Sequence, residues 1–216
     1  MSSENDQSTK EALLDNAVSV FAEKGYHAAT VREICARANA NVAAVNYHFG
    51  GKGPLYEAVL RKVFFEQDVV PDLTGESMPP QERLKAFIRA LILDIYTRNH
   101  GFSAHRWSIF LNEVAKPSDQ LDFIVRQQVQ PRVDELRAIM RGVLGPDAPD
   151  EYVFFCSSKV WSLLLDYLMT SPFVARLKPR RAPMPENAEE VAELIYEFSL
   201  GGLQAIKAKT ISPKGV

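Results

Sequence analysis

Along most of the chain apolar residues recur every three or four positions, the period of helices packed on one face. From Thr9 to Lys24 the stripe is Leu13, Leu14, Ala17, Val18 and Phe21, and Gly25 is a natural end. A second segment opens at Thr30, with Val31, Ile34, Cys35 and Ala38 inward and Arg32, Glu33 and Arg37 outward. Thr30 followed three positions later by Glu33 is a capping box, so a helix is predicted to start there. Ala38-Asn39-Ala40-Asn41 is a corner of small residues, and Val42 to Phe49 reads as a second short helix. Its inner side carries Val42, Val45 and Phe49; its outer side shows Ala43, Ala44 and Tyr47, flanked by Asn46 and His48. A helix this short is not stable alone. Neighbours must hold it, and the outer face is left for another use.

After Gly50-Gly51, Pro54 suits the first turn of a helix carrying Leu55, Val59, Leu60, Val63 and Phe64 to about Val70. Pro71 to Pro80 reads as a linker, followed by a helix from Gln81 to Arg98 and a break at Asn99-His100-Gly101. A sixth helix is predicted over Ser103 to Ala115 and a seventh over Ser118 to Leu144, kinked or divided at Pro131. From Asp150 to Thr170 apolar residues surround most of the circumference, the mark of a helix covered on both sides. Pro172 to Pro185 reads as a loop, and a last helix runs from Glu186 to Ala208 with Gly201-Gly202 inside it. That pair costs up to ~1 kcal/mol per residue relative to Ala, tolerable where another helix comes close. Strand alternation and internal repeats are absent. The pattern predicts an all-α chain of about nine helices.

Two short helices joined by a tight corner, the second with a free outer face, form a helix-turn-helix. Net charge tempers this: the 216 residues carry −2 overall. Between Thr9 and Lys62, seven cations (10, 24, 32, 37, 52, 61, 62) face five acids (11, 15, 23, 33, 57), a surplus of two. DNA attraction must therefore come from local placement rather than a strong overall field. A hydrophobic content of 46% is ample for a core, no apolar run reaches membrane-span length, and the polar N-terminus is unlike a leader, so a cytoplasmic protein is expected. Cys35 and Cys156 have no metal-ligand spacing and are expected as buried thiols.

The helix from Thr9, the Gly25-Tyr26 corner, the T-V-R-E-I-C-A-R-A run from Thr30, and Y-H-F-G-G-K at 47–52 followed by Leu55 and Tyr56 resemble the tetracycline-repressor (TetR) family of bacterial regulators. The segment N-V-A-A-V-N-Y-H-F-G-G-K from Asn41 to Lys52 is most similar to one branch of that family. Beyond it the likeness lies in helical layout and, more loosely, in Arg106-Trp107, Pro117, Gln130-Pro131-Arg132 and Leu136-Arg137-Ala138-Ile139. The resemblance implies a disordered tail over 1–8, a three-helix DNA-binding domain with its connecting helix over 9–70, and a ligand-binding and dimerisation domain over 71–216. It implies DNA contacts from Thr30, Arg32, Asn41, Ala43, Ala44, Asn46, Tyr47, His48 and Lys52. Ala43 and Ala44 would meet base edges, with Asn46, Arg32 or Arg37 supplying further reading. Tyr47, His48 and Lys52 would hold the backbone, Lys52 at a helix start that attracts phosphate. One departure stands: the common family pattern has Tyr two residues before the His, where this chain has Asn46.

The implied function is that of a homodimeric regulator, a repressor released from a palindromic operator by a small apolar effector, with no cofactor or metal. His100, His105, Arg106, Trp107, Glu113, Arg126, Trp161 and Tyr167 are pocket candidates, and the expected ligand set is Trp107, Phe110, Trp161 and Tyr167. The expected dimer face is Val160, Leu164, Phe198, Gly201 and Gly202. Two alternatives stay open: control of the same fold by a protein partner, and a helical enzyme. Against the enzyme, the chain lacks GxSxG, HExxH, paired Glu-x-x-His and GxGxxG, and Gly51-Lys52-Gly53 lacks the flanks of a phosphate-binding loop.

Overall fold

The computed structural model describes residues 2–65, 78–96, 102–174, 176–178 and 187–211, with the side chains of 2–5, 65, 96, 102–103, 167, 171–172 and 210–211 left out. Most of the expected linker after Pro71, the break at Asn99 to Gly101 with His100, and most of the loop before Pro185 lie outside the described residues. Within them all regular structure is helical: α1 (Ser2–Ala28), α2 (Val31–Arg37), α3 (Val42–Phe49), α4 (Lys52–Phe65), α5 (Pro80–Tyr96), α6 (Phe102–Ala115), α7 (Leu121–Ile124), α8 (Gln130–Leu144), α9 (Asp150–Val174) and α10 (Ala188–Ile211). The chain divides into two units, one of residues 1–68 and 99–128, the other of 69–98 and 129–216.

In the first unit α1 packs on α2, α3, α4 and α6, and α4 on α3 and α6. Leu13, Ala17, Val18 and Phe21 of α1 are fully buried against Ile34, Val45 and the Leu55-Tyr56-Val59-Leu60 run. Phe21, Tyr26 and Tyr56 form an aromatic hub, Tyr56 standing 4.6 Å from Phe21 and 4.9 Å from Tyr26. The Tyr56 hydroxyl donates to Glu113 Oε1 at 2.8 Å, and the Ser118 N–H donates to Glu113 Oε2 at 2.9 Å. Burial first, and the bond to Glu113 second, push the Tyr56 phenol far above its usual range. Glu113 is therefore a structural tie between α4 and α6 rather than a pocket residue. Helix α6, placed by the sequence beyond the 9–70 head, packs with α1 for this reason.

α1 starts at Ser2, not near Thr9, and the expected tail is its first turns. Gln7 donates to Glu11 at 2.9 Å one turn on, and Asp6 lies 3.6 Å from His48, so the polar segment has partners. Gly25 breaks the helix at φ 71, as its place in the sequence predicts. The carbonyls of Phe21 and Ala22 just before it accept from the Asn112 amide of α6, at 3.4 and 3.0 Å.

In the second unit α5 packs on α8, α9 and α10, and α8 on α9 and α10. Leu84, Ile88, Ile92, Ile139, Met140 and Leu164 are fully buried there. The predicted seventh helix is divided: α7 passes through a π-helical turn, Val125–Val129, into α8, whose second residue is Pro131. Proline has no N–H and crowds the carbonyl four residues earlier, so the ladder widens ahead of it. No helix of the described residues is long and apolar enough to cross a membrane.

Candidate nucleic-acid interface

α2 begins with Thr30, whose hydroxyl accepts the Glu33 N–H at 3.2 Å. It ends in a Schellman turn: Ala40 N–H bonds Cys35 O at 2.9 Å, Asn39 N–H bonds Ala36 O at 3.4 Å, and Asn39 takes φ 50. Asn tolerates this conformation because its short polar side chain does. Two residues on, Asn41 caps α3, its side-chain oxygen accepting Ala43 N–H at 2.9 Å. Gly50 closes α3 at φ 83 with its N–H on Asn46 O at 3.0 Å. A short helix with both ends satisfied and Val45 fully buried beneath it is held rigidly.

The outward face of α3 carries Val42, Ala43, Asn46 and Tyr47, the last 77% exposed. Thr30, Arg32 and Asn41 are exposed beside it, and Ala44 is half-buried. His48 turns inward instead: its side chain is 7% exposed, 3.6 Å from Asp6, with its ring edge-on to Tyr47 at 4.9 Å. It supports the Tyr47 ring from behind. Lys52 is the first residue of α4, half-buried, with Nζ 4.6 Å from the Tyr26 ring centre, and burial lowers its pKa.

The cations divide by role. Arg37 makes a two-pronged bond to Glu23 at 2.8 Å per prong and a third to Glu33 at 2.9 Å; Lys24 bonds Glu33 at 2.7 Å. Hydrogen bonding from Arg37 holds the Glu23 carboxyl below its usual range, and that from Lys24 does the same for Glu33. Arg61 pairs with Glu57 and Lys62 with Asp15. Of the seven head cations, Lys10, Arg32 and Lys52 have no ion pair among the described residues. Arg37 is thus held by two carboxylates and ties α2 to α1. Glu33, four positions earlier on the same helix, was the sequence sign of it; Glu23, on α1, lies 14 positions away.

The family described as "Bacterial regulatory proteins, tetR family" matches residues 13–59. The family described as "HTH-type transcriptional dual regulator CecR, C-terminal domain" matches residues 80–206, more than half the chain. The chain belongs to the TetR family.

Its head and its body each match a family of transcriptional regulators. The probable regulator YttP of Bacillus subtilis is 32% identical over 94 residues, 44% of this chain and 45% of that protein. The biofilm operon icaADBC negative transcriptional regulator IcaR of Staphylococcus aureus is 30% identical over 90 residues, 41% of this chain and 48% of that one. The chain thus spans under half the length of these relatives. The solved structure of AibR with isovaleryl coenzyme A and operator DNA matches at TM-score 0.64 and 21% identity, over 88% of this chain and 97% of AibR. That likeness is one of fold.

In the TetR-family body the expected sites fall as follows. Trp107, half-buried on α6, lies edge-on to Phe110 at 5.6 Å, with the Arg106 guanidinium 5.5 Å from its ring centre. Both belong to the first unit; half-buried Trp161 belongs to the second, and the Tyr167 side chain lies outside the described residues. Arg126 is exposed in the π-helical turn and His105 is half-buried. On the expected dimer face Phe198 is 73% exposed, and Gly201 and Gly202 are open, with no heavy atom within 4 Å of a built Cβ. Val160 is buried but lines a shallow apolar groove between α9 and α10 with Phe155, Leu163, Phe198 and Gly202. Leu164 offers a partner nothing, being wholly inside the unit's core. Phe155, half exposed, lines the groove, and Leu194 of α10 and Phe173 of α9 are exposed as well.

Proposed function

We propose that this TetR-family chain is a homodimeric, ligand-responsive repressor, bound to a palindromic operator and released from it by a small apolar molecule. The observation that carries the reading is the outward face of α3: uncharged and solvent-exposed on a helix capped at both ends. A rigid short helix with such a face fits the major groove as a recognition helix. Thr30, Arg32, Asn41, Ala43, Ala44, Asn46 and Tyr47 would lie along the duplex, His48 acting through Tyr47. Lys52, at the free N–H groups of α4, would meet phosphate. The N-V-A-A-x-N-Y-H-F-G-G-K segment supports placing this head in the branch of the family that it resembles.

Dimerisation through α9 and α10 is supported by Phe155, Phe198 and the open Gly201-Gly202 pair, apolar surface that a lone chain leaves in water. Two heads on a twofold axis would read two half-sites. The effector would bind within the 71–216 region, with Trp107 and Phe110 the candidate residues in the first unit and Trp161 and Tyr167 those in the second. AibR, solved with an acyl thioester and with DNA, supports a small-molecule effector in a fold of this kind. The chain would act in the cytoplasm, where operators are.

Selection from random duplex DNA tests the reading. The full chain should enrich a palindrome whose half-sites lie about one helical turn apart, with two chains per site. Binding that is equal on all sequences contradicts it.

A further inference from the structure

Val42 departs furthest from its place in the sequence pattern. The helical period puts it on the inner stripe with Val45 and Phe49, yet Val45 is fully buried while Val42 is 42% exposed. On α3 it joins Ala43, Asn46 and Tyr47 in one outward patch, positions i, i+1, i+4 and i+5 of the helix. That patch holds an isopropyl group, a methyl, an amide and a phenol, and no charge. Guanine is read best by Arg or Lys paired with O6 and N7. α3 has neither, and of the two arginines on α2, Arg37 is held by Glu23 and Glu33, while Arg32 is exposed outside the α3 face. Thymine offers a C5 methyl to apolar groups, and adenine offers the donor–acceptor pair that an Asn amide matches.

We propose that the α3 face reads A·T pairs, with Val42 and Ala43 packed on thymine C5 methyls and Asn46 paired to adenine, which makes Val42 a specificity-determining residue. The inference rests on the reading of α2 and α3 as a DNA-binding head. The N-terminal residues of a recognition helix are the ones that reach base edges, and Val42 and Ala43 are the first two of α3. The side-chain oxygen of Asn41, just ahead, is engaged on the Ala43 N–H. Apolar groups therefore lead, and what they gain on the DNA is removal of methyl surface from water.

The test uses the full chain and an operator selected from random duplex DNA. Each thymine of a half-site is replaced in turn by deoxyuridine, which lacks only the C5 methyl. At one or two thymines affinity should fall about fourfold per half-site, the equivalent of one buried methyl-sized group. Val42→Ala should abolish that sensitivity at one thymine and keep the helical circular dichroism of the unaltered chain. The second readout also shows that the variant is folded. Deoxyuridine operators bound as tightly at every position, half-sites dominated by guanine, or a Val42→Ala chain that keeps the full sensitivity would each overturn the inference and leave the head a DNA reader. A folded chain that enriches no sequence would remove the reading of the head, and the inference with it.

Discussion

Lys52 combines two environments: the start of α4, where backbone N–H groups point outward, and the face of the Tyr26 ring, 4.6 Å from its ammonium. The ring fixes the side chain, and partial burial makes its charge costlier to keep away from an anion. Lys52→Ala is expected to weaken binding to all DNA sequences alike and to lower the slope of log affinity against log salt by roughly 1 per chain. A lost preference for operator over random DNA at unchanged slope would put Lys52 at a base instead. Asn41, read as part of the corner, also caps α3. Thr30 and Gly50 were legible in the sequence because caps are local, each acting on a neighbour within four residues. Arg37, His48 and Val42 were not. Arg37 is fixed by Glu23 on another helix, His48 is covered by the start of α1 near Asp6, and Val42 sits at a helix end that the core does not reach.

At the scale of elements, α4 and α6 are joined at Glu113, a carboxylate 2% exposed that two donors satisfy. Tyr56→Phe removes one donor while keeping the ring in its hub, and is expected to cost about 1–3 kcal/mol in urea denaturation. An unchanged midpoint would mean that the carboxylate had found another donor. The raised phenol pKa gives a pH signature as well. A folded pKa above the unfolded one stabilises fully below the unfolded value and is lost as pH rises. Stability should therefore fall from about pH 10 upward, and Tyr56→Phe should flatten that limb. A limb as steep in the variant would assign it to other groups. The divided seventh helix was readable from Pro131 alone, whereas the π-helical turn depends on how the ladder adapts ahead of it. The all-round apolar character of 150–170 predicted a helix covered on both sides; within one chain Val153 and Cys156 are covered, while Phe154 and Phe155 are left exposed.

At the scale of the whole molecule, that uncovered side together with Phe198 and the open glycine pair is what the proposed dimer would bury. Gly202 has open space where a Cβ would stand, so Gly202→Leu is aimed at assembly, with circular dichroism as the check on folding. It is expected to sediment as a monomer and to lose operator affinity while keeping its helical circular dichroism; an intact dimer would move the interface elsewhere. The central claim is that effector and operator oppose each other. Trp107 and Trp161 are the only tryptophans, one in each unit and both outside the helix-turn-helix, so indole fluorescence reports on two of the candidate effector residues. The decisive measurement is titration of an apolar effector, found by screening hydrophobic and aromatic compounds, with and without operator. Coupling between sites is typically ~1–3 kcal/mol, so operator should weaken effector binding roughly 5- to 150-fold, and effector should weaken operator binding by the same factor. Equal effector affinity in both conditions would contradict the account.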